Sequence, residues 1–390
     1  MNINEVVNQQ LSTLVEQRRY LHQHPELSFQ ERETYQYILK HLRSQPHINI
    51  KEHVGGSGII AEIKGFGNKT VAFRADFDAL PIQDQKDVPY KSTVPGVMHA
   101  CGHDGHTSIL LALLSILSEH HSSLNGNVVM IFQFAEELAP GGAKPMIEEG
   151  ALDDVDVIYG HHLWSPFNTH EIHVKPGPLM ASPDMFAVTL TGKGGHGAKP
   201  HTSIDSIVAM AQFINSIQTL VSRTIDPVDS AVVTIGKVEA GNAFNIISHE
   251  ASCEGTVRTF DPAVKQLIKV GLENELQGLA LAKGITYELN YVDGYPSVVN
   301  HTREYKIVRR AAERLGLPFV EAQPMMIGED FAYYLQEKPG AFFLTGAGHP
   351  DAPPHHHAMF DLDEDSLATG LKMFLSILME EGILDADSAS

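Results

Sequence analysis

With 390 residues, 43% of them hydrophobic and 19% charged, the chain can bury a large core and exceeds what one core usually organises, so two domains are expected. The balance of 28 basic against 48 acidic residues gives a formal net charge of -20 with no basic run to offset it, which excludes an extended nucleic-acid surface. The longest apolar stretch, 109–117, is too short to cross a bilayer, the opening MNINEVVNQQ lacks a signal-peptide pattern, and two cysteines cannot build a disulfide framework; a cytoplasmic protein without membrane or nucleic-acid partners is expected.

The first element is a helix over 5–26, where Val7, Leu11, Leu14, Val15, Arg18 and Leu21 fall near helical spacing and Pro25 helps to close it. A second helix precedes QPHIN. Strand-like and helical stretches then alternate: strands at 57–65 and 69–76, an apolar helix over 106–120, a strand at 127–134, a short helix over 144–149 and a strand at 155–160. Near-continuous apolar strands alternating with helices predict an α/β layer with a mainly parallel sheet flanked by helices.

From about Asp184 the pattern becomes strict alternation, with Phe186, Val188 and Leu190 on one face. The order onward is strand, helix (203–222), strand (230–238), strand (251–260), helix (263–282) and strand (285–291), and Cys253 falls in a strand interior. This βαββαβ order predicts a ferredoxin-like α+β domain. After DGYP the α/β pattern resumes with helices over 303–316 and 329–337, a strand at 340–346 and a last helix from Asp365. The small domain is therefore expected as an insertion: 1–182 and 294–390 form the large domain, and 183–293 the inserted one.

Polar clusters follow the predicted strands of the large domain. They are Arg74 to Asp78, Glu136-Glu137, His161-His162 and His355-His356-His357, with Cys101 and His103 two residues apart in MHACGHDGH. That last spacing suits two ligands in a tight turn. In open α/β sheets the carboxyl ends of strands converge on one crevice. Alone, a glutamate pair reads as solvated surface, the histidine run as a polar loop, and the aspartates as turn caps. Together they predict a site for two divalent cations bridged by a water. Adjacent strand residues face opposite ways, so Glu136 and Glu137 cannot play the same part unless the backbone turns there; one is expected to hold metal and the other to move protons.

The stretches RRYLHQHPELSFQE, RADFDALPI, MHACGHDGH, FQFAEE, GHHLW, GKGGHGAKPH, GNAFNIIS, GTVRTF, IGEDFAYY and PHHHAMFDLDE resemble, in this order, the dinuclear metallo-amidohydrolases and metallopeptidases that include hippurate hydrolase, N-acyl-amino acid deacylases and related carboxypeptidases. The resemblance spans nearly the whole chain. It implies a metal-dependent N-acyl-amino acid amidohydrolase with Cys101, His103, Glu137, His162 and His356 as ligands to two zinc, manganese, cobalt or nickel ions. His162 matches the family's Gly-x-His pattern, and His356 lies four residues before Phe360. Glu136 would be the general base, and Asp76 and Asp104 would orient ligands. Arg258, with Asn245, would pair with a substrate carboxylate, and a further substrate contact is implied near Glu329. The inserted domain would be a lid that also makes a homodimer or higher oligomer, hinged near Pro183 and Gly294, and His196 would reach a partner's site to stabilise an oxyanion. The sequence departs from the common pattern at Ala358, often proline, and at Gly328, often serine. A dipeptidase or carboxypeptidase is the enzymatic alternative, and a non-catalytic metal- or ligand-binding protein the other; a metal store would need no base at Glu136.

Overall fold

Asn2 starts the first helix, α1 (Ile3–Gln23), by accepting the Glu5 N–H at 3.3 Å, and Val7, Leu14 and Leu21 form its buried stripe. There follow α2 (Arg32–Arg43), β1 (Asn49–Val54), β2 (Gly58–Ile63), β3 (Thr70–Asp76), α3 (His103–Glu119), β4 (Asn127–Gln133), α4 (Ala143–Glu148), β5 (Val157–Asn168), β6 (Ile172–Val174) and β7 (Gly177–Met180). Next come β8 (Ser182–Thr191), β9 (Gly195–His196), α5 (Ser206–Thr219), β10 (Ala231–Ala240), β11 (Ile246–Ile247), β12 (Glu250–Thr259), α6 (Pro262–Lys283) and β13 (Thr286–Val292). The chain closes with β14 (Val298–Asn300), α7 (Thr302–Arg314), β15 (Phe319–Glu321), α8 (Ala332–Glu337), β16 (Gly340–Gly348) and α9 (Asp365–Glu380). This computed structural model describes residues 1–385. It divides into two units, one of 1–179, 298–323 and 330 onward, the other of 180–297 and 324–329.

The first unit is built on an eight-stranded sheet in the order β1-β2-β4-β3-β5-β16-β6-β15. Its centre, β4-β3-β5-β16, is parallel, whereas β1, β2 and β6 pair antiparallel to their inner neighbours. The sheet is therefore mixed at both flanks and parallel where the polar clusters emerge. Every residue of β3 is buried, as a central strand covered on both faces requires. α3 packs on β3 and α9 on β16, with α1 against both helices. On β5 the ring of His161 lies against Phe374 of α9, while Gly160 is pressed by Phe331, so the sheet is covered on both faces there. No helix among the described residues is long and apolar enough to cross a membrane.

The second unit is a four-stranded antiparallel sheet, β10-β12-β8-β13, crossed by α5 and α6, which is the split βαββαβ arrangement. Phe186, Val188 and Leu190 share its inner face with Cys253, against Phe213 and Ile217 of α5 and Ile268, Leu272 and Leu276 of α6. Each such side chain withdrawn from water contributes roughly 1.5–3 kcal/mol. α5 starts three residues later than its apolar pattern suggests because Asp205 caps it, accepting from the Ile207 and Val208 N–H groups. A short ribbon of β9 and β11 stands beside the sheet.

Candidate metal centre and active site

All the donors assembled here belong to the first unit. Gly102, at φ 91, caps α3 in a left-handed conformation that an L side chain adopts only under strain, and it separates Cys101 from His103 at the helix start. His103 donates through Nδ1 to the Asp78 carbonyl at 3.0 Å and is 3.2 Å from its carboxylate, which turns Nε2 into the cluster. His162 donates through Nδ1 to the Leu163 carbonyl at 2.9 Å, and its Nε2 lies 3.4 Å from Cys101 Sγ. Both rings are thus held with Nε2 toward the cluster, the nitrogen that would meet a metal.

The histidine pair was expected beyond a strand end; β5 in fact runs on to Asn168, so His161 and His162 sit within it and point to opposite faces. His161 meets Thr345, Phe343 and Phe374, while His162 meets Cys101 and His103. The glutamates are also not strand neighbours. β4 ends at Gln133, and Ala135, at φ 50, turns the chain before Glu136 and Glu137. Their different surroundings come from that turn rather than from strand alternation.

In the last loop His356, itself at φ 61, is fixed by its N–H to the Ala100 carbonyl at 2.8 Å, and its Nε2 lies 3.2 Å from Glu137 Oε1. A non-glycine residue held in this region is a local cost that the surrounding bonds must offset. His355 instead donates to the Leu163 carbonyl at 3.0 Å and packs on Trp164, and His357 accepts the Met359 N–H at 3.1 Å.

Ligand atoms of Cys101, His103 and His162 lie within 4.8 Å of one another, as do those of Cys101, Glu137 and His356, and those of His103, Glu136 and Glu137. Shared members join these triplets into one cluster. Buried His103 Nε2 and Glu137 Oε1 make no hydrogen bond, a cost that a cation between them would remove. One thiol with imidazoles and carboxylates suits a late first-row divalent ion, so the residues fit the group.

Electrostatics agree. Burial, then Glu137 and Glu136, push the Cys101 thiol well up, so it keeps its proton until a cation displaces it. Burial works against a charge on His103, yet Asp76, Asp78 and Glu137 outweigh it and raise the ring to about 10. Burial, then His106, holds His162 well below the usual range, a neutral ring. The carboxylates thus favour positive charge at His103, while His162 stays neutral.

Asp76 was expected to orient a ligand. It accepts from His106 at 2.6 Å, forms a buried pair with Arg74 and lies 3.7 Å from His103 Nε2, while Asp78 holds His103 at Nδ1. Asp104 accepts from Arg18 at 2.9 Å and His22 at 2.7 Å, which ties α1 to the first turn of α3. His106 was missed. Its Nε2 accepts the Leu163 N–H at 2.9 Å and its Nδ1 donates to Asp76, so no lone pair is left for a metal, and it bolts α3 to β5. The i, i+3 spacing of His103 and His106 on α3 was the available signal.

His196, Asn245, Arg258 and Glu329 belong to the second unit. His196 is exposed in β9 opposite Ile246, and the neighbouring Gly197 N–H donates to the Asn245 carbonyl at 2.8 Å, so these two residues share the ribbon. Arg258 is half-buried on β12, between Val232 and Pro183.

A family model described as Peptidase family M20/M25/M40 matches residues 72–380. The chain is 42% identical over 299 residues to the N-acyl-L-amino acid amidohydrolase of Geobacillus stearothermophilus, covering 77% of this chain and 81% of that protein. It is 40% identical over 373 residues to the N-acetylcysteine deacetylase of Bacillus subtilis (strain 168), covering 95% and 97% respectively. Among solved structures it resembles the Bacillus subtilis YXEP protein, described as a dinuclear metal binding peptidase from the M20 family, with a TM-score of 0.84 and 38% identity over 96% of this chain and 99% of that one.

Proposed function

The chain belongs to peptidase family M20/M25/M40, and on that premise we propose that it hydrolyses the amide bond of N-acyl-amino acids using two divalent cations per chain. The observation that carries this reading is the convergence of buried His103 and His162, partly buried Cys101 and Glu137, and exposed His356 on one cluster beside Glu136. These five would hold zinc, manganese, cobalt or nickel. When bound, such ions polarise the amide carbonyl and bring the acidity of water toward neutral pH. Glu136 takes a proton from the attacking water as the new C–O bond forms, and returns it to the amine nitrogen as the C–N bond breaks, leaving a carboxylate and an amino acid.

Arg258 and Asn245 are the residues we give to the substrate carboxylate, with Glu329 as a further substrate contact, because a guanidinium pairs with a carboxylate in a bidentate way. His196 would stabilise the oxyanion from a partner subunit of a cytoplasmic homodimer, with 183–293 as the lid. Two free cysteines suit a reducing compartment. Mixed dimers of Glu136→Gln and His196→Ala subunits test the partner role: a regained working site supports it, and proven mixed dimers without activity refute it.

The substrate class is tested by assaying metal-reconstituted protein on acetyl-, benzoyl- and succinyl-amino acids beside dipeptides. Turnover of acyl-amino acids above dipeptides is expected. Dipeptide cleavage alone would make it a peptidase, and no turnover of either would leave a binding protein.

A further inference from the structure

The motif HPELSFQE holds a carboxyl that the proposed reaction leaves unused. Glu31, only 2% exposed, lies far in sequence from every donor. We propose that Glu31 is a positioning residue for the general base, acting through the turn at Ala135; the inference rests on the reading of Glu136 as that base.

The geometry is specific. Glu31 Oε1 accepts the Ala135 N–H at 2.9 Å in a buried bond. Ala135 is the left-handed residue, φ 50, that ends the run of β4 and aims Glu136, and such a conformation costs a non-glycine residue roughly 1–2 kcal/mol unless it is held. On the other side of Glu136, the Glu137 N–H donates to Asp78 Oδ2 at 3.0 Å, and the same oxygen accepts from Ser28 at 2.7 Å. The two peptide N–H groups that flank the base are therefore each held by a buried carboxylate. The loop that carries Ser28 and Glu31 serves both, and it is itself anchored by the Ala79 N–H to the Glu26 carbonyl at 2.8 Å.

The two clamps differ in one respect. Asp78 also holds His103, so its loss would disturb a proposed ligand as well as the turn. Glu31 shares none of the donor triplets described above, so it separates aim from metal binding. A space-filling role does not account for it either: Glu31 Oε2 is buried and makes no hydrogen bond, a penalty that an apolar side chain of the same size would avoid.

The test uses the metal-loaded enzyme and its best amide substrate, with kcat, KM, bound metal and Tm measured on Glu31→Ala, Glu31→Met and Glu31→Gln. Glu31→Ala and the space-filling Glu31→Met are expected to lose ~10-fold or more in kcat at parental metal content, with KM little changed, because a misaimed base costs rate rather than binding. Glu31→Gln, whose amide oxygen accepts the same N–H, restores most of that loss. In a Glu136→Gln background, adding Glu31→Ala is expected to cost no more than about twofold further, because the effect runs through the base. A normal kcat in both Glu31→Ala and Glu31→Met, failure of Glu31→Gln to restore it, parallel loss of metal, or full additivity with Glu136→Gln would each overturn the proposal. Normal turnover by Glu136→Gln itself would instead remove the base on which it rests. Should Glu31→Ala fail to fold, Glu31→Met carries the comparison.

Discussion

At the scale of residues, the site depends on which nitrogen of each histidine is free. His162 spends Nδ1 on the Leu163 carbonyl and turns Nε2 to Cys101, whereas His161 packs beneath α9 with Gly370 and Phe374. His162→Ala is accordingly expected to lower bound metal, and His161→Ala to keep metal while losing about 1–3 kcal/mol of stability from its buried packing. Elemental analysis beside thermal unfolding separates the two; metal loss in His161→Ala with retention in His162→Ala would reverse the assignment. The donor types that meet here stood out in the sequence through their joint occurrence, since each cluster alone has an ordinary surface or turn-capping use. The supporting roles of His106 and Asp78 were not, since a hydrogen bond between residues 30 positions apart, such as His106 to Asp76, leaves no trace in spacing.

At the scale of elements, apolar runs located most of the long strands and helices; the short β6, β7, β9, β11, β14 and β15 went unread because two to four residues establish no period, and β1 because it is mostly exposed. The turn at Ala135 escaped for another reason: alanine carries no sign of positive φ, which is imposed by tertiary bonds. The last helix shows how such bonds also set stability. Just past the end of α9, Glu381 accepts from Lys69 before β3, Tyr159 of β5 and Arg303 of α7, thereby stapling three elements. Burial disfavours its charge, but Arg303, Lys69 and Tyr159 prevail and hold its carboxyl below the usual range. A depressed folded-state value means that this contribution is present above the unfolded glutamate's value of about 4.3 and is lost as pH falls below it. Glu381→Gln should therefore be less stable at neutral pH by about 1–3 kcal/mol and show a flatter acid limb. Thermal unfolding from about pH 7 to pH 3 reads this directly, and parallel curves for the two proteins would contradict it.

At the scale of the whole molecule, the switch from buried parallel strands to strict alternation near Asp184 marked a second kind of sheet, and βαββαβ order follows from it. The compact units differ in detail from the expected division, with 180–182, 294–297 and 324–329 lying in the second unit, since segments that link two cores carry the pattern of neither. In the first unit, carboxylates gather with histidines and one thiol in groups that could hold a cation. On this reading the cluster holds two divalent ions while Glu136 moves the proton. Elemental analysis and turnover measured on the same preparations of the parent protein and Glu136→Gln test it most directly. Two ions per chain are expected in both, with the variant slower by ~10²–10⁴-fold; near-parental turnover in Glu136→Gln, or a parent protein that is active without bound metal, would overturn this reading.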